Sequence, residues 1–316
     1  MTLPAEFSLI ARHFRPLAGP GALDLSDDAA VFTPPHGREL VISADAMVAG
    51  VHFLPDDPAD LIARKLLRTN LSDMAAMGAV PHAYLMTVST PKDTPDAWFA
   101  AFSVGLAHDQ ALYGVHLLGG DTTSTPGPIS LSLTILGSVA PGQAVRRSGA
   151  RPSDEIWVSG TIGDGALGLL AAQGRLADPT GWLADRYHLP QPRLGLAVPG
   201  LVRACMDVSD GLVQDLGHLC RSSDVSATIH AHDVPRSPAA LQAGPDYLPL
   251  CLSGGDDYEL LMAIAPEAVA AFTSHAQSLG IAVHRIGAFA NGPPHISLRD
   301  ETGTLIAVKS GGWSHF

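Results

Sequence analysis

The sequence predicts an α/β (α+β) fold of two domains, and three observations carry that prediction. Strand-like and helix-like patterns interleave in both halves of the chain, a polar Gly/Pro/Arg-rich segment at residues 140–153 separates them, and the alternation restarts beyond it. With 316 residues, 46% of them apolar, the chain is long enough to bury two cores. The expected division is 1–145 and 146–316.

Residues 40–44 (LVISA) read as a strand ending at Asp45. Over residues 60–77, Leu61, Ile62, Leu66, Leu67, Leu71, Met74 and Met77 recur at helical spacing, and Gly78 supplies a stop. Residues 129–139 alternate as a strand should. Beyond the linker, strand-like EIWVSG runs into a Gly160–Gly165 loop and an Ala/Leu-rich helix. A helix over 211–220, a strand at 258–265 and a helix over 267–279 follow. The tail from Ile296 to Lys309 reads as a hairpin.

Charge removes several function classes. The formal net charge is −12, which leaves no electrostatic footprint for a nucleic-acid backbone. No run of about 18 apolar residues exists to span a membrane, so no membrane partner is expected. The N-terminus lacks a secretory pattern, and Cys205, Cys220 and Cys251 show no zinc or disulfide spacing; a reducing cytoplasm is expected. Three lysines and no G-x-x-x-x-G-K-[ST] exclude a P-loop. The Gly160–Gly165 loop can either seat a phosphate at a helix start or serve tight packing. His230 and His232 are too few for a zinc site.

The acids are the informative residues, and Asp outnumbers Glu by 25 to 6. They gather at Asp27-Asp28, Asp45, Asp73, Gly119-Gly120-Asp121, Asp207-Val-Ser-Asp210 and Ser253-Gly-Gly-Asp256-Asp257-Tyr258-Glu259. One such segment alone is ordinary turn chemistry. Several converging ones repel unless a cation neutralises them, and Mg²⁺ suits short oxygen ligands.

Taken in order, SDDAAVF, ISADAMVAGVHF, NLSDMAAMGAVP, GGDTT, RSGARPSDEIWVSG, DVSDGLVQDLGHL, LSGGDDYEL and GGWSHF resemble the thiamine-monophosphate kinase family, within the aminoimidazole ribonucleotide synthetase superfamily. The resemblance runs nearly end to end. It implies transfer of the γ-phosphoryl of ATP to thiamine monophosphate, with several Mg²⁺ ions and K⁺ as a further candidate cation. Residue by residue it implies metal ligation at Asp28, Ser43, Ala44, Asp45, Asp73, Asp121, Asp207 and Asp210. ATP contacts would come from Gly120, Asp121, Arg147 and Ser209, and thiamine monophosphate contacts from His52, Asp256 and Trp313. Asp28, Asp73, Asp210 and Arg147 would carry catalysis. The N-terminal domain would bind ATP and Mg²⁺ and form a homodimer through a barrel-like mixed sheet; the C-terminal α/β domain would complete the active-site cleft.

Four positions depart from the family pattern. Ala44 stands in place of Thr, Asp256 in place of Glu, Ser26 in place of Gly, and Ser153 where a turn Gly is common. Two alternatives follow from the sequence: another ATP-dependent synthetase of the superfamily, or a non-catalytic nucleotide- and Mg²⁺-binding homologue. The first Cys being as late as Cys205 argues against the selenophosphate-type enzymes, and the terminal Phe316 against the hydrogenase-maturation relatives. Ala44 and Asp256 motivate the non-catalytic alternative.

Overall fold

The computed structural model describes residues 5–306 and 312–314 and divides into two compact units, residues 1–74 with 80–142, and residues 75–79 with 143–316. After a short helix α1 (Ala5–Leu9), the first unit comprises β1 (Glu39–Val48), α2 (Ala59–Ala76), β2 (Val80–Thr90), α3 (Asp96–Tyr113), β3 (His116–Ser124) and β4 (Ser130–Val139). The sheet order is β1-β4-β2-β3, with β2 and β3 parallel and the other pairs antiparallel. A parallel pair cannot be joined by a tight turn, and α3 makes that crossover.

The alternation of β1 decides what it presents. Val41 and Met47 are buried and share their face with half-buried Ser43 and Asp45. Leu40, Ile42, Ala44 and Ala46 lie exposed on the other face. The strand therefore continues through Asp45 to Val48, beyond the predicted end. Helix α2 is buried along Ile62, Ala63, Leu66, Leu67, Leu71 and Met74, the stripe its spacing predicts. Its Arg64 and Arg68 meet buried Asp109 of α3, with Arg68 Nε 2.6 Å from the carboxylate. Gln110 of α3 donates to the Tyr84 hydroxyl of β2, tying helix to sheet.

The second unit contains β5 (Glu155–Ser159), α4 (Asp164–Ala172), α5 (Trp182–His188), β6 (Ala204–Asp207), α6 (Leu212–Ser223), β7 (Ser226–His230), α7 (Pro238–Ala243), α8 (Leu248–Ser253), β8 (Leu260–Ile264), α9 (Val269–Ser278), β9 (Val283–Ala290) and β10 (Ile296–Arg299). Its six strands run in the order β10-β7-β9-β5-β8-β6. Both faces are covered. Ile156, Val158 and Leu261 pack with Leu212 and Leu216 of α6, while Trp157, Leu260 and Met262 pack with Phe272 of α9. Double burial explains why β8, LLMAI, is a continuous apolar run.

The described part of the predicted terminal hairpin is present, and its first strand also joins the large sheet. β10 pairs in parallel with β7 on one side; on the other, an antiparallel bridge joins Arg299 to Leu305, the Ile306 amide donates to the Leu298 carbonyl at 2.9 Å, and the Asp300 amide donates to the Thr304 carbonyl at 2.9 Å. Residues 307–309 of that prediction lie outside the described residues.

Candidate active site

In the first unit, a pocket of about 550 Å³ is lined by Asp27, Asp28, Phe32, Met86, Gly120 and Asp121, among others. Three predicted ligands, Asp28, Gly120 and Asp121, thus share one cavity although about 90 residues separate them in sequence. Gly120 has φ +154°, and a Cβ there would collide with the Met86 carbonyl, so only glycine fits. Ser26 has φ −114°, so serine meets no left-handed strain at this position. Ser153 has φ +75°, the conformation for which glycine is favoured.

Ser43, Asp45 and Asp73 form a second group. Ser43 Oγ donates to Asp73 Oδ2 at 2.5 Å, and Asn70 Oδ1 accepts the Asp45 amide at 3.2 Å. Asn70 and Asp73 are three residues apart on α2, hence on one face of the helix. Burial, then the neighbouring Asp73 charge, raises the Asp45 pKa to about 6. No hydrogen-bond donor meets the Asp45 carboxylate among the described residues. Two adjacent carboxylates suit a hard cation such as Mg²⁺, which takes one or two carboxylates and completes its shell with water or phosphate. No cluster of three or more His, Cys, Asp or Glu poised for a metal is found among the described residues.

Register relates these groups. Asp45, Leu133, Met86 and Gly120 form one transverse row across the sheet. Asp121 alternates to the opposite face beside Thr87, so its carboxylate does not share the face of Asp45. Ala44 likewise turns its methyl away from Ser43 and Asp45; only its backbone belongs to that stretch.

His52 follows β1. Its Nδ1 accepts the Val48 amide at 3.0 Å, so the neutral ring carries its proton on Nε2. Buried Lys65 of α2 donates to the His52 carbonyl at 3.2 Å and pins the turn.

In the second unit the predicted residues converge through backbone pairing. The Asp256 amide donates to the Ser209 carbonyl at 2.9 Å, and the Tyr258 amide to the Val208 carbonyl at 2.8 Å. The Trp313 amide donates to the Asp210 carbonyl at 2.9 Å. Asp207, buried, ends β6 immediately before them. Asp215 holds the turn by accepting the Asp210 and Gly211 amides; burial chiefly, with the Asp210 charge adding, raises it to about 7. Arg147 is exposed, and its carbonyl accepts from Ser223 Oγ at 3.3 Å at the far end of α6. His218 of α6 senses both ends: burial, Arg221 and Arg147 lower its pKa against the opposing pull of Asp210.

The Asp-Asp-Tyr-Glu segment divides by alternation. Asp257 is buried and accepts the Gly163 and Gly165 amides at 2.7 and 2.9 Å, and its pKa rises to about 8 chiefly through burial. The Gly160–Gly165 loop is therefore closed by an internal carboxylate, which favours its packing role over a phosphate cradle. Glu259 is buried between Arg186 and Arg193, with Ser159 Oγ also donating to it. Asp256 alone of the three acids is half-exposed, at φ +78°, a conformation that Asp tolerates better than most residues.

The family AIR synthase related protein, N-terminal domain, matches residues 26–139, and the corresponding C-terminal domain family matches residues 151–297. A thiamine-monophosphate kinase of Caulobacter vibrioides is 44% identical over 99% of this chain and 91% of its own. The chain belongs to the thiamine-monophosphate kinase family. Among solved structures, the thiamine-monophosphate kinase from Stenotrophomonas maltophilia K279a superposes with a TM-score of 0.84 at 39% identity, covering 96% of this chain and 98% of that one. The AaThiL protein complexed with AMPPCP and TMP has a TM-score of 0.78 at 27% identity, covering 92% and 91%. The family's two mixed α/β domains are those seen here.

Sequence reasoning missed the supporting residues: Asn70 behind Asp45, Lys65 behind His52, and Asp215 behind Asp210. Asp215 was visible as the second acid of SDGL-x-x-DL; Lys65 and Asn70 looked like ordinary helix residues.

Proposed function

We propose that this chain transfers the γ-phosphoryl group of ATP to the phosphate of thiamine monophosphate, forming thiamine diphosphate. One observation carries the reading. Ser209–Asp210, Asp256 and Trp313, distant in sequence, are bonded backbone to backbone in a chain 44% identical to a thiamine-monophosphate kinase over 99% of its length.

The acceptor phosphate has a second pKa of about 6, as in a phosphoserine, so it is already an anion at neutral pH and requires no dedicated base. The task left to the protein is to bring two polyanions together in line. Mg²⁺ held by Asp45 and Asp73 in the first unit, and by Asp207 and Asp210 in the second, would screen that repulsion. Asp28, Gly120 and Asp121 line the cavity that would take the nucleotide, with Ser43 supporting Asp73. Arg147 would meet phosphate oxygens with a planar guanidinium that stays charged. His52, with its proton fixed on Nε2, would donate to the acceptor phosphate. Trp313, 52% exposed, offers its ring to the thiazolium cation, and Asp256 its carboxylate to the same moiety.

A second copy of the chain would dock on the open face of the first sheet, where Leu40 and Ile42 are exposed. Three buried cysteines, none in a disulfide, accord with a reducing cytoplasm. No described helix is long and apolar enough to cross a membrane.

The test is incubation of purified protein with ATP and Mg²⁺, with and without K⁺, and with either thiamine monophosphate or thiamine, resolving products by chromatography. Thiamine diphosphate from the monophosphate alone is expected. Bound ATP without turnover in every condition would instead favour the non-catalytic reading.

A further inference from the structure

The C-terminal segment meets the Asp210 turn through a side chain that the reaction itself does not require. Gln214 lies in the first turn of α6, four residues after Asp210. Its Nε2 donates to Asp210 Oδ2 at 3.1 Å and to the Trp313 carbonyl at 2.6 Å. The Trp313 amide in turn donates to the Asp210 carbonyl, so residues 210, 214 and 313 form a closed triangle of hydrogen bonds. Gly312 completes the fit: a Cβ there would stand 2.5 Å from the Asp210 carbonyl oxygen and 2.5 Å from Gln214 Cβ. The chain at 312–313 can approach α6 this closely only with glycine at 312.

We infer that Gln214 is a positioning residue, which latches the C-terminal segment to the Asp210 turn and so sets the place of the Trp313 ring. The amide is the group the geometry requires. Both partners are acceptors, a carboxylate and a carbonyl, and a primary amide offers two N–H donors on one nitrogen. Leucine, of similar size, would keep the packing and supply no donor. Glutamate would set a third acceptor against two others, with a like charge beside Asp210. The latch also couples two jobs: the turn that carries Asp210 cannot shift without carrying Trp313 with it.

The role in catalysis rests on the reading of Trp313 as an acceptor contact, so the experiment separates the two. Amide exchange of the C-terminal peptide, followed by mass spectrometry, reads the latch directly and needs no substrate. In Gln214→Leu, the Trp313 amide is expected to exchange about tenfold faster. Gln214→Glu should exchange faster still, and Gly312→Ala should free the tail with Gln214 intact. In steady-state kinetics, Gln214→Leu should raise KM for thiamine monophosphate about as much as Trp313→Ala does, leaving KM for ATP within about twofold. Unchanged exchange in folded Gln214→Leu overturns the latch, whatever Trp313→Ala does. Faster exchange with KM unchanged, where Trp313→Ala raises it, overturns the positioning role. If Trp313→Ala also leaves KM unchanged, the acceptor reading of Trp313 fails and the positioning role fails with it.

Discussion

Asp45 with Asp73 in the first unit and Asp257 with Asp164 in the second are both pairs of neighbouring acids, yet their surroundings differ. Asp257 accepts two backbone amides, and Asp164 accepts Thr161 Oγ1, Trp182 Nε1 and Ser237 Oγ. Asp45 receives no donor among the described residues and remains reachable from solvent. Carboxylates kept for architecture are saturated by the fold, whereas those kept for a cation leave their oxygens to be completed by a ligand. The difference separates acids that look alike in sequence.

The largest effect that would break this comparison belongs to the architectural side. Glu259→Ala should cost about 3–5 kcal/mol, because Arg186, 2% exposed, would keep a buried charge without its carboxylate. Denaturant unfolding would measure it; a loss below about 1 kcal/mol would mean the buried acids are not structural. On the other side, Asp73→Asn and Asp210→Asn should lower kcat by roughly 10²–10³-fold, the scale for losing one electrostatic stabiliser, with stability nearly kept. Near-normal kcat in both would remove the metal assignment.

The third prediction concerns pH. Asp257 has its folded pKa raised to about 8 from an ordinary value of 3.8, so the native state binds the extra proton between those values. Its contribution to stability is complete below the ordinary carboxylate pKa and is lost as pH rises towards 8. Wild-type protein should therefore lose Tm between pH 5 and about 8, with Asp257→Asn showing a flatter profile. Parallel profiles would mean that Asp257 stays ionised. The smallest effect is expected for Ala44→Thr. Residue 44 faces away from Asp45, so kcat and KM should stay within about twofold of the parent. A tenfold gain would put the residue-44 hydroxyl at the metal.

Much of this was legible in the linear chain. The helical stripe of α2 and the alternation of β4 followed from apolar spacing, and the acidic segments followed from composition and order. The alternation within Asp256-Asp257-Tyr258-Glu259 was not. All three acids look equally available in sequence, and only burial shows that Asp257 and Glu259 face inward. The terminal hairpin was legible locally, but the parallel pairing of its first strand, β10, with the edge of β7 was not, because that partner lies about 70 residues away.

Local periodicity and residue type are written along the chain, so the sequence alone determined two α/β units, an acidic cation-suited chemistry and the family. Which strand is an edge, which face a carboxylate occupies, and which donors reach it depend on pairings between residues far apart. The tertiary structure alone decided that the Asp45 carboxylate meets no donor among the described residues, that Asp257 is consumed by the fold, and that Gln214 holds Trp313 against the Asp210 turn.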